Sequence, residues 1–219
     1  MFPDLTCDDD FRFETKRLAM RWPRATDVAA IAGFAALADV ALMTAEIPHP
    51  YPQREAERFI LKARAQNAAG KALHLVVAPK TAGCPVAGFV SAQTSGGKDV
   101  EITFAMAPSA WGKGLTTEAV RTLLDLVFDV TLAARVVAKS RVVNLAARRV
   151  LLKNGFHHLG SGLELLPARG GDYSCDRFRL DRAAWHRAVA MRRMPPMMLQ
   201  RRAIEETAQK MAEAPVVVQ

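Results

Sequence analysis

The sequence is poor in the residues that disulfide frameworks and metal clusters need. Its 219 residues include three cysteines, Cys7, Cys84 and Cys175, which are far apart and odd in number. This set excludes a disulfide framework and a cysteine-based metal cluster, and it favours a reducing, cytoplasmic setting. We therefore expect no metal site.

Long hydrophobic runs are lacking as well. No stretch of about 18 apolar residues without charges occurs, so we expect no membrane-spanning helix and no membrane partner. The first ten residues, MFPDLTCDDD, are acidic and have no apolar core of the kind that a signal peptide needs. Aromatic residues make up 7% of the chain and are not interleaved with basic residues, unlike those of single-strand nucleic-acid binders.

Acidic residues are missing from one long segment, Val130 to Leu163, within a chain of formal net charge +8. Such an excess attracts phosphates, so the partner could be a nucleic acid, a phosphorylated cofactor or a ribosomal surface. Zinc-finger and basic-zipper spacings are absent, which disfavours nucleic acid except through a ribosomal target. For most of the basic residues in the segment we expect a solvated face: these are Arg135, Lys139, Arg141, Arg148, Arg149 and Lys153.

Hydrophobic periodicity predicts one α+β domain, because strands and helices alternate in the order βααβββαβαββα. We assign residues 1–12 to a leader, residues 13–190 to the domain and residues 191–219 to an extension that is helical or mobile. The extension could pack against a second copy of the chain in a homodimer. The first helical pattern, rich in alanine and leucine, predicts one helix over residues 25–43.

The stretch APSAWGKGLTTEAVRTLL places Gly112 and Gly114 directly before an amphipathic helix. Glycine allows close backbone approach, and a helix start offers unpaired N–H groups and a positive dipole end. Together they predict a seat for an anion; the alternative is that the glycines only form a tight turn. The apolar face of the helix comprises Leu115, Ala119, Val120, Leu123, Leu124, Val127 and Phe128.

Several segments in order resemble the GNAT superfamily of acyl-CoA N-acyltransferases. WGKGLTTEAV carries the resemblance, and ETKRLAMR, IPHPYPQREAERFI, VEITFAMAPSAWGKG, NLAARRVLLKNGF and LDRAAW narrow it to the branch with the N-terminal acetyltransferases of ribosomal proteins. The resemblance covers about residues 13–190. It implies a GNAT-type fold, with a central mixed, mostly antiparallel twisted sheet of about seven strands flanked by helices. It also implies direct transfer of an acetyl group from acetyl-CoA to a primary amine in a ternary complex.

The resemblance assigns cofactor contacts to three places in the chain. The family's Gln/Arg-x-x-Gly-x-Gly/Ala loop, which binds the CoA diphosphate, corresponds to a register that begins at Trp111 and departs from the pattern at Thr116. Asn144 matches an asparagine that contacts the cofactor arm, although it also suits a helix N-cap. Backbone groups at the end of the preceding strand would bind the pantetheine arm. The implied cofactor residues are Phe104, Met106, Ala107, Gly112, Lys113, Gly114, Leu115, Thr116, Thr117 and Asn144.

Glu101 is the implied catalytic base, acting through water on the incoming amine. It alternates with apolar neighbours along its strand and shares a face with Thr103 and Ala105; the alternative is an ordinary exposed strand carboxylate. A backbone N–H near Met106 would stabilise the oxyanion. The family's usual acids are absent, because Leu151 stands at the tyrosine position and Ala147 at the serine position.

The acceptor side of relatives is lined by a proline-rich loop, and here that loop contains His49 and Tyr51, the implied substrate contacts. The acceptor is a small-molecule amine or a protein N-terminus, since acceptor loops vary most. Two other classes stay open. The chain could be a CoA-binding regulatory or scaffold domain that has lost its chemistry, or a nucleic-acid or ribosome-associated protein that uses its positive charge.

Overall fold

The computed structural model describes residues 2–81 and 85–193, and it divides into a compact unit that ends at Arg182 and a second that starts at Ala183. The predicted extension beyond residue 193 lies outside the described residues. The strands are β1 Arg12–Glu14, β2 Leu18–Arg21, β3 Ala72–Pro79, β4 Gly88–Thr94, β5 Asp99–Met106, β6 Arg135–Arg141, β7 His157–Leu166 and β8 Gly171–Asp181. The helices are α1 Val28–Ala35, α2 Ala38–Ala41, α3 Gln53–Ala68, α4 Leu115–Val130, α5 Leu145–Lys153 and α6 Arg182–Arg193.

The strands form one sheet in the order β1-β2-β3-β4-β5-β6-β8-β7. All neighbouring strands run antiparallel except β5 and β6, which are parallel. The predicted mixed, mostly antiparallel sheet is confirmed, with eight strands where about seven were expected. The additional strand is β1, at the border between the predicted leader and domain.

Helices cover both faces of the sheet. Apolar residues of α1, α2 and α3 pack on Val76 and Ala105, which are cross-strand neighbours through Phe89. We call this side the α1–α3 face; it also carries Glu101, because side chains alternate along a strand. On the opposite side, the α4–α5 face, α5 contacts Asp176 through Arg148, and α4 contacts α5. The α4 face predicted to be apolar is buried throughout.

The single helix predicted over residues 25–43 is wrong. The chain forms a 3-10 turn at Ala25–Asp27, then α1 and α2, with Leu37 in an extended conformation between them. In an unbroken helix Val40 would lie about 120° around the axis from Phe34. The break allows both side chains to enter the same core cluster, which favours two short helices over one long helix.

The N-terminal residues pack against the domain. Phe2 is buried, and its N–H donates to the carbonyl of Gly70 at 3.1 Å. Arg64 of α3 binds both carboxylate oxygens of Asp9. The segment that the sequence marks as a leader therefore makes native contacts with α3 and the turn that follows it.

Candidate active site

The central feature of the site is the separation of the two parallel strands. β5 pairs with β6 only from Asp99 to Glu101, whereas it pairs with β4 as far as Met106. The carbonyl of Asp99 accepts from Ser95 and the N–H of Ala107 donates to Ala87, so the backbone groups of odd-numbered residues face β4. By alternation, the N–H groups of Phe104 and Met106 face the gap toward β6.

Phe104, Met106 and Ala107 were predicted to bind the cofactor arm through their backbones. In the structure they differ in which backbone groups are free to do so. The carbonyl of Met106 already accepts a hydrogen bond from Trp111 Nε1 at 2.8 Å. Ala107 donates to Ala87 and accepts from Ala110, so it offers no free N–H to the gap. The donors that face the gap are therefore the N–H groups of Phe104 and Met106.

The gap leads to the N-terminus of α4. Gly112 and Gly114 have φ angles of 71° and 73°, a left-handed conformation that favours glycine. No side chain caps α4, and Thr116 and Thr117 are half-buried in its first turn. The first N–H groups of the helix thus form a set of aligned donors next to a positive dipole end.

Two of the predicted loop residues have other contacts. The Lys113 ammonium donates to the carbonyl of Ser109 at 2.7 Å, within the loop itself. Leu115 is buried, so its side chain packs in the core and only its backbone can contact a ligand.

An ion pair that the sequence analysis did not find holds this loop. The Arg17 guanidinium lies 2.5 Å from Glu118 Oε2, and it also donates to the carbonyl of Lys113 at 2.9 Å. Thr15 Oγ1 donates to the other oxygen of Glu118. These contacts join the start of β2 to the first turn of α4, and their sequence separation of about one hundred residues explains why no local pattern indicated them.

Asn144 caps α5, the second helix beside the gap. Its Oδ1 accepts from the N–H of Ala147 at 3.0 Å, so the predicted N-cap is observed. α5 is also attached to the sheet, because Arg148 Nη1 binds the buried carboxylate of Asp176 at 3.0 Å. Burial opposes ionisation of Asp176, but hydrogen bonds from Ser161 and His158 outweigh it and keep its pKa below the usual value.

Glu101 lies at the point where β5 and β6 separate, and its side chain is half-buried on the α1–α3 face. Burial raises the pKa of Glu101, and the nearby Lys139 ammonium opposes that rise. The negative charges of Glu46 and Glu164 add to the upward shift. Such a carboxylate takes up a proton more readily than an exposed glutamate.

The segment between α2 and α3, which contains the proline-rich loop, connects the helices to β6 and to the turn between β7 and β8. The carbonyl of Leu42 accepts from Arg141 Nη1 at 2.7 Å, and the carbonyl of Ala45 accepts from the N–H of Ala168 at 3.1 Å. The Arg169 guanidinium donates to the carbonyl of Ile47. The segment between α2 and α3 therefore links α2 to the end of β6 and to the β7–β8 turn on the α1–α3 face.

The two substrate residues predicted in this loop differ in environment. His49 is exposed. The Tyr51 side chain packs partly against the apolar cluster of α1–α3, and burial together with the charge of Glu55 raises its pKa to about 12. Tyr51 thus contributes to the core, and any contact with an acceptor would come from the exposed part of its ring.

The residues at the two positions of the usual acids offer no proton. Leu151 is fully buried and Ala147 nearly so. The basic residues of the segment that contains them lie largely at the surface, as a solvated face requires. Three of the six also form ion pairs there: Arg135 with Asp99, Lys139 with Glu164, and Arg148 with Asp176.

The separated parallel strands, the uncapped helix start and the left-handed glycines together leave a set of backbone N–H donors that suits an anionic ligand. A family model described as an acetyltransferase (GNAT) domain matches residues 17–157. The chain belongs to this family and is an acyl-CoA-dependent N-acetyltransferase by class. Comparison with curated proteins gave no significant sequence match.

Solved structures share the fold at low sequence identity. RimJ of Mycobacterium smegmatis, in complex with CoA-disulfide, has a TM-score of 0.70 and 21% identity over 85% of this chain and 97% of its own. The ribosomal-protein-S5-alanine acetyltransferase of Vibrio fischeri has a TM-score of 0.68 and 20% identity, over 80% of this chain and 99% of its own. The microcin C7 self-immunity acetyltransferase MccE, in complex with acetyl-CoA and AMP, has a TM-score of 0.66 and 21% identity, over 76% and 93%.

The predicted family, fold and enzyme class are thus confirmed, and acetyl-CoA is the co-substrate that this class implies. No helix within residues 2–81 and 85–193 is long and apolar enough to cross a membrane. In the same described part of the chain, no three histidine, cysteine, aspartate or glutamate side chains are placed to hold a metal ion.

Proposed function

We propose that the chain moves the acetyl group of acetyl-CoA to a primary amine by direct attack in a ternary complex. One observation carries the proposal: β5 leaves β6 after Glu101, and the chain that continues from the end of β5 leads to the uncapped N-terminus of α4. An acyl carrier bound there would have its anionic end on the helix and its thioester beside a carboxylate with a raised pKa.

The coenzyme would be bound mainly by backbone groups. The amides from Gly112 to Thr117 suit a diphosphate, which needs several N–H donors within one turn of helix. The Thr116 hydroxyl, where the family pattern has glycine or alanine, adds a further donor. The N–H group of Met106 then binds the arm as an added strand would, and the Asn144 amide contacts it from the α5 side.

Glu101 would accept the proton of the amine through a water molecule. Of the two N–H groups that face the gap, Phe104 lies about 10 Å along the strand from Glu101 and Met106 about 17 Å. We therefore assign the oxyanion contact to Phe104, two residues earlier than the sequence analysis placed it. A CoA thiol has a pKa near 8.5, like that of cysteine, so the thiolate can leave without prior protonation.

For the acceptor we favour a protein N-terminus, and for the location the cytoplasm. Structural neighbours include proteins described as ribosomal-protein acetyltransferases, which supports a protein substrate and contact with nucleic acid only through a ribosomal target. His49, the exposed part of Tyr51 and Glu46 line the acceptor side. A protein N-terminus, with a pKa of about 7.7 to 8, is substantially neutral near pH 7.5, unlike a lysine amine at about 10.4.

The test combines binding and turnover. Calorimetry with CoA measures coenzyme binding, and a thiol-reactive dye follows CoA release with a panel of peptides, polyamines and aminoglycosides. We expect turnover with peptides that have a free N-terminus and none with the same peptides after N-terminal formylation. Absence of heat with both CoA and acetyl-CoA, on folded protein, would refute the proposal.

A CoA-binding regulatory domain is the second candidate, and the apolar residues at both usual acid positions favour it. Heat with CoA and no thiol release with any amine would establish this alternative. Turnover with any member of the panel would exclude it.

A further inference from the structure

Ser140 of β6 carries a hydroxyl that is buried and has no partner. The residue is 7% exposed, and its Oγ forms no hydrogen bond with any residue in the described part of the chain. Because a buried hydroxyl without a hydrogen bond is costly, such a group in a native protein calls for a ligand or water partner.

The position of Ser140 in the sheet places this hydroxyl at the gap. It lies beyond Val137, the last residue of β6 that pairs with β5. Continuing the register of Asp99 with Arg135 sets Ser140 opposite Phe104. Its neighbour on the other side is Asp176 of β8, whose oxygens bind other side chains.

Ser140 of β6 lies at about the same height as Ala147 of α5, the position at which the family usually has a serine acid. The Asn144 N–H donates to the carbonyl of Arg141, so α5 starts at the end of β6. It runs back along the α4–α5 face, because its Arg148 binds Asp176, the β8 neighbour of Ser140. Ala147 lies about 4.5 Å along the helix from Asn144, and Ser140 about 3.3 Å along the strand from Arg141. The strand thus supplies a hydroxyl where the helix has a methyl group.

We propose that Ser140 is a catalytic residue that donates a hydrogen bond to the sulfur of the departing CoA thiolate. The inference depends on the proposed function, which sets the thioester carbonyl on the N–H of Phe104. The sulfur is bonded to that carbonyl carbon, so the group facing Phe104 across the gap lies beside the C–S bond.

The step needs no proton from serine. The amine nitrogen forms a bond to the carbonyl carbon and loses its proton through water to Glu101. The tetrahedral intermediate then collapses, the C–S bond breaks, and the electron pair stays on sulfur. The Ser140 O–H donates to that developing negative charge, and solvent later protonates the free thiolate.

A matched pair of variants, Ser140→Thr and Ser140→Val, tests the role, because the two side chains have nearly the same shape and differ by a hydroxyl. We expect Ser140→Thr to keep most of kcat and Ser140→Val to lose about 10- to 100-fold, the range for a hydrogen bond to a charged group. KM for acetyl-CoA should change little in both. Ser174→Ala, which removes an exposed hydroxyl from β8, is the control.

A second measurement requires no acceptor. Titration of CoA bound to each variant, followed by the ultraviolet absorbance of the thiolate, gives the pKa of the bound thiol. Loss of a hydrogen bond to the thiolate should raise that pKa by about one unit in Ser140→Val relative to Ser140→Thr. Equal pKa values and equal kcat values in the pair would overturn the role of Ser140 while leaving the proposed function in place, whereas wild-type protein that binds no CoA would overturn both.

Discussion

Replacement of Glu101 with glutamine keeps the size of the side chain and removes its basicity. A general base contributes about 10²- to 10⁴-fold to a reaction of this kind. Since Glu101 is half-buried and would act through a water molecule, we expect Glu101→Gln to lower kcat by about 10²-fold, at the lower end of that range. Coenzyme binding should be unchanged, because the diphosphate contacts lie at the other end of the gap.

The pH dependence provides an independent measure of the same group. The base is active when ionised, so kcat/KM falls as the pH drops through the pKa of Glu101. Burial raises that pKa, with the charges of Glu46 and Glu164 adding to the shift and Lys139 opposing it. The acid limb should therefore lie above the pH at which an ordinary glutamate titrates, and it should vanish in Glu101→Gln, leaving only the titration of the amine.

The assay is steady-state release of CoA with one amine across a pH series, with calorimetry on the same samples. Glu57→Gln, which alters an exposed carboxylate of α3, is the matched control and should behave as wild type. Equal kcat values for Glu101→Gln and wild type, within about threefold and with the acid limb retained, would show that another group or water alone accepts the proton.

Three further outcomes test the framework of the site. Gly114→Ala should lower the free energy of unfolding by about 1 kcal/mol, the usual penalty of a left-handed alanine, and weaken CoA binding in calorimetry; Gly33→Ala in α1, whose Cβ meets nothing, should do neither. Burial lowers the pKa of His74 to about 4, below the unfolded value of about 6.5, so the unfolded state binds more protons between these values. Stability should therefore fall by about 3 kcal/mol as the pH drops from 6.5 to 4, and urea titrations of His74→Gln should lack that slope. Leu123→Ala removes a fully buried side chain of α4 and should cost about 2 to 5 kcal/mol in the same titrations, with a loss within 0.5 kcal/mol arguing against the packing described.

The α4 region shows which structural features a local sequence pattern can predict. Two glycines before a run of apolar residues at steps of three and four indicated both the helix and its exposed start, and both are observed. The same reasoning failed at residues 25–43, because alanine and leucine favour a helix everywhere while the break at Leu37 depends on what Phe34 and Val40 pack against.

Some residues of the candidate site were found from the sequence, and others only from the structure. Gly112 and Gly114 were named from their place directly before a helix, and Glu101 and Asn144 from the resemblance to a known family. Ser140 gave no such signal: one hydroxyl in a strand is common, and only the surroundings show that it is buried, unpartnered and opposite Phe104.

The sequence by itself determined the α+β class, the apolar face of α4 and the glycine turn before it, because these depend on periodicity and on backbone conformations that few residues adopt. It indicated the family through the resemblance of several segments in order. Only the tertiary structure decided where β5 and β6 separate, which amides are left free by that separation, and which charges surround Glu101. Those properties arise from contacts between residues far apart in the chain, such as Arg17 with Glu118 and Lys139 with Glu164, and no local pattern encodes a distance between two distant segments.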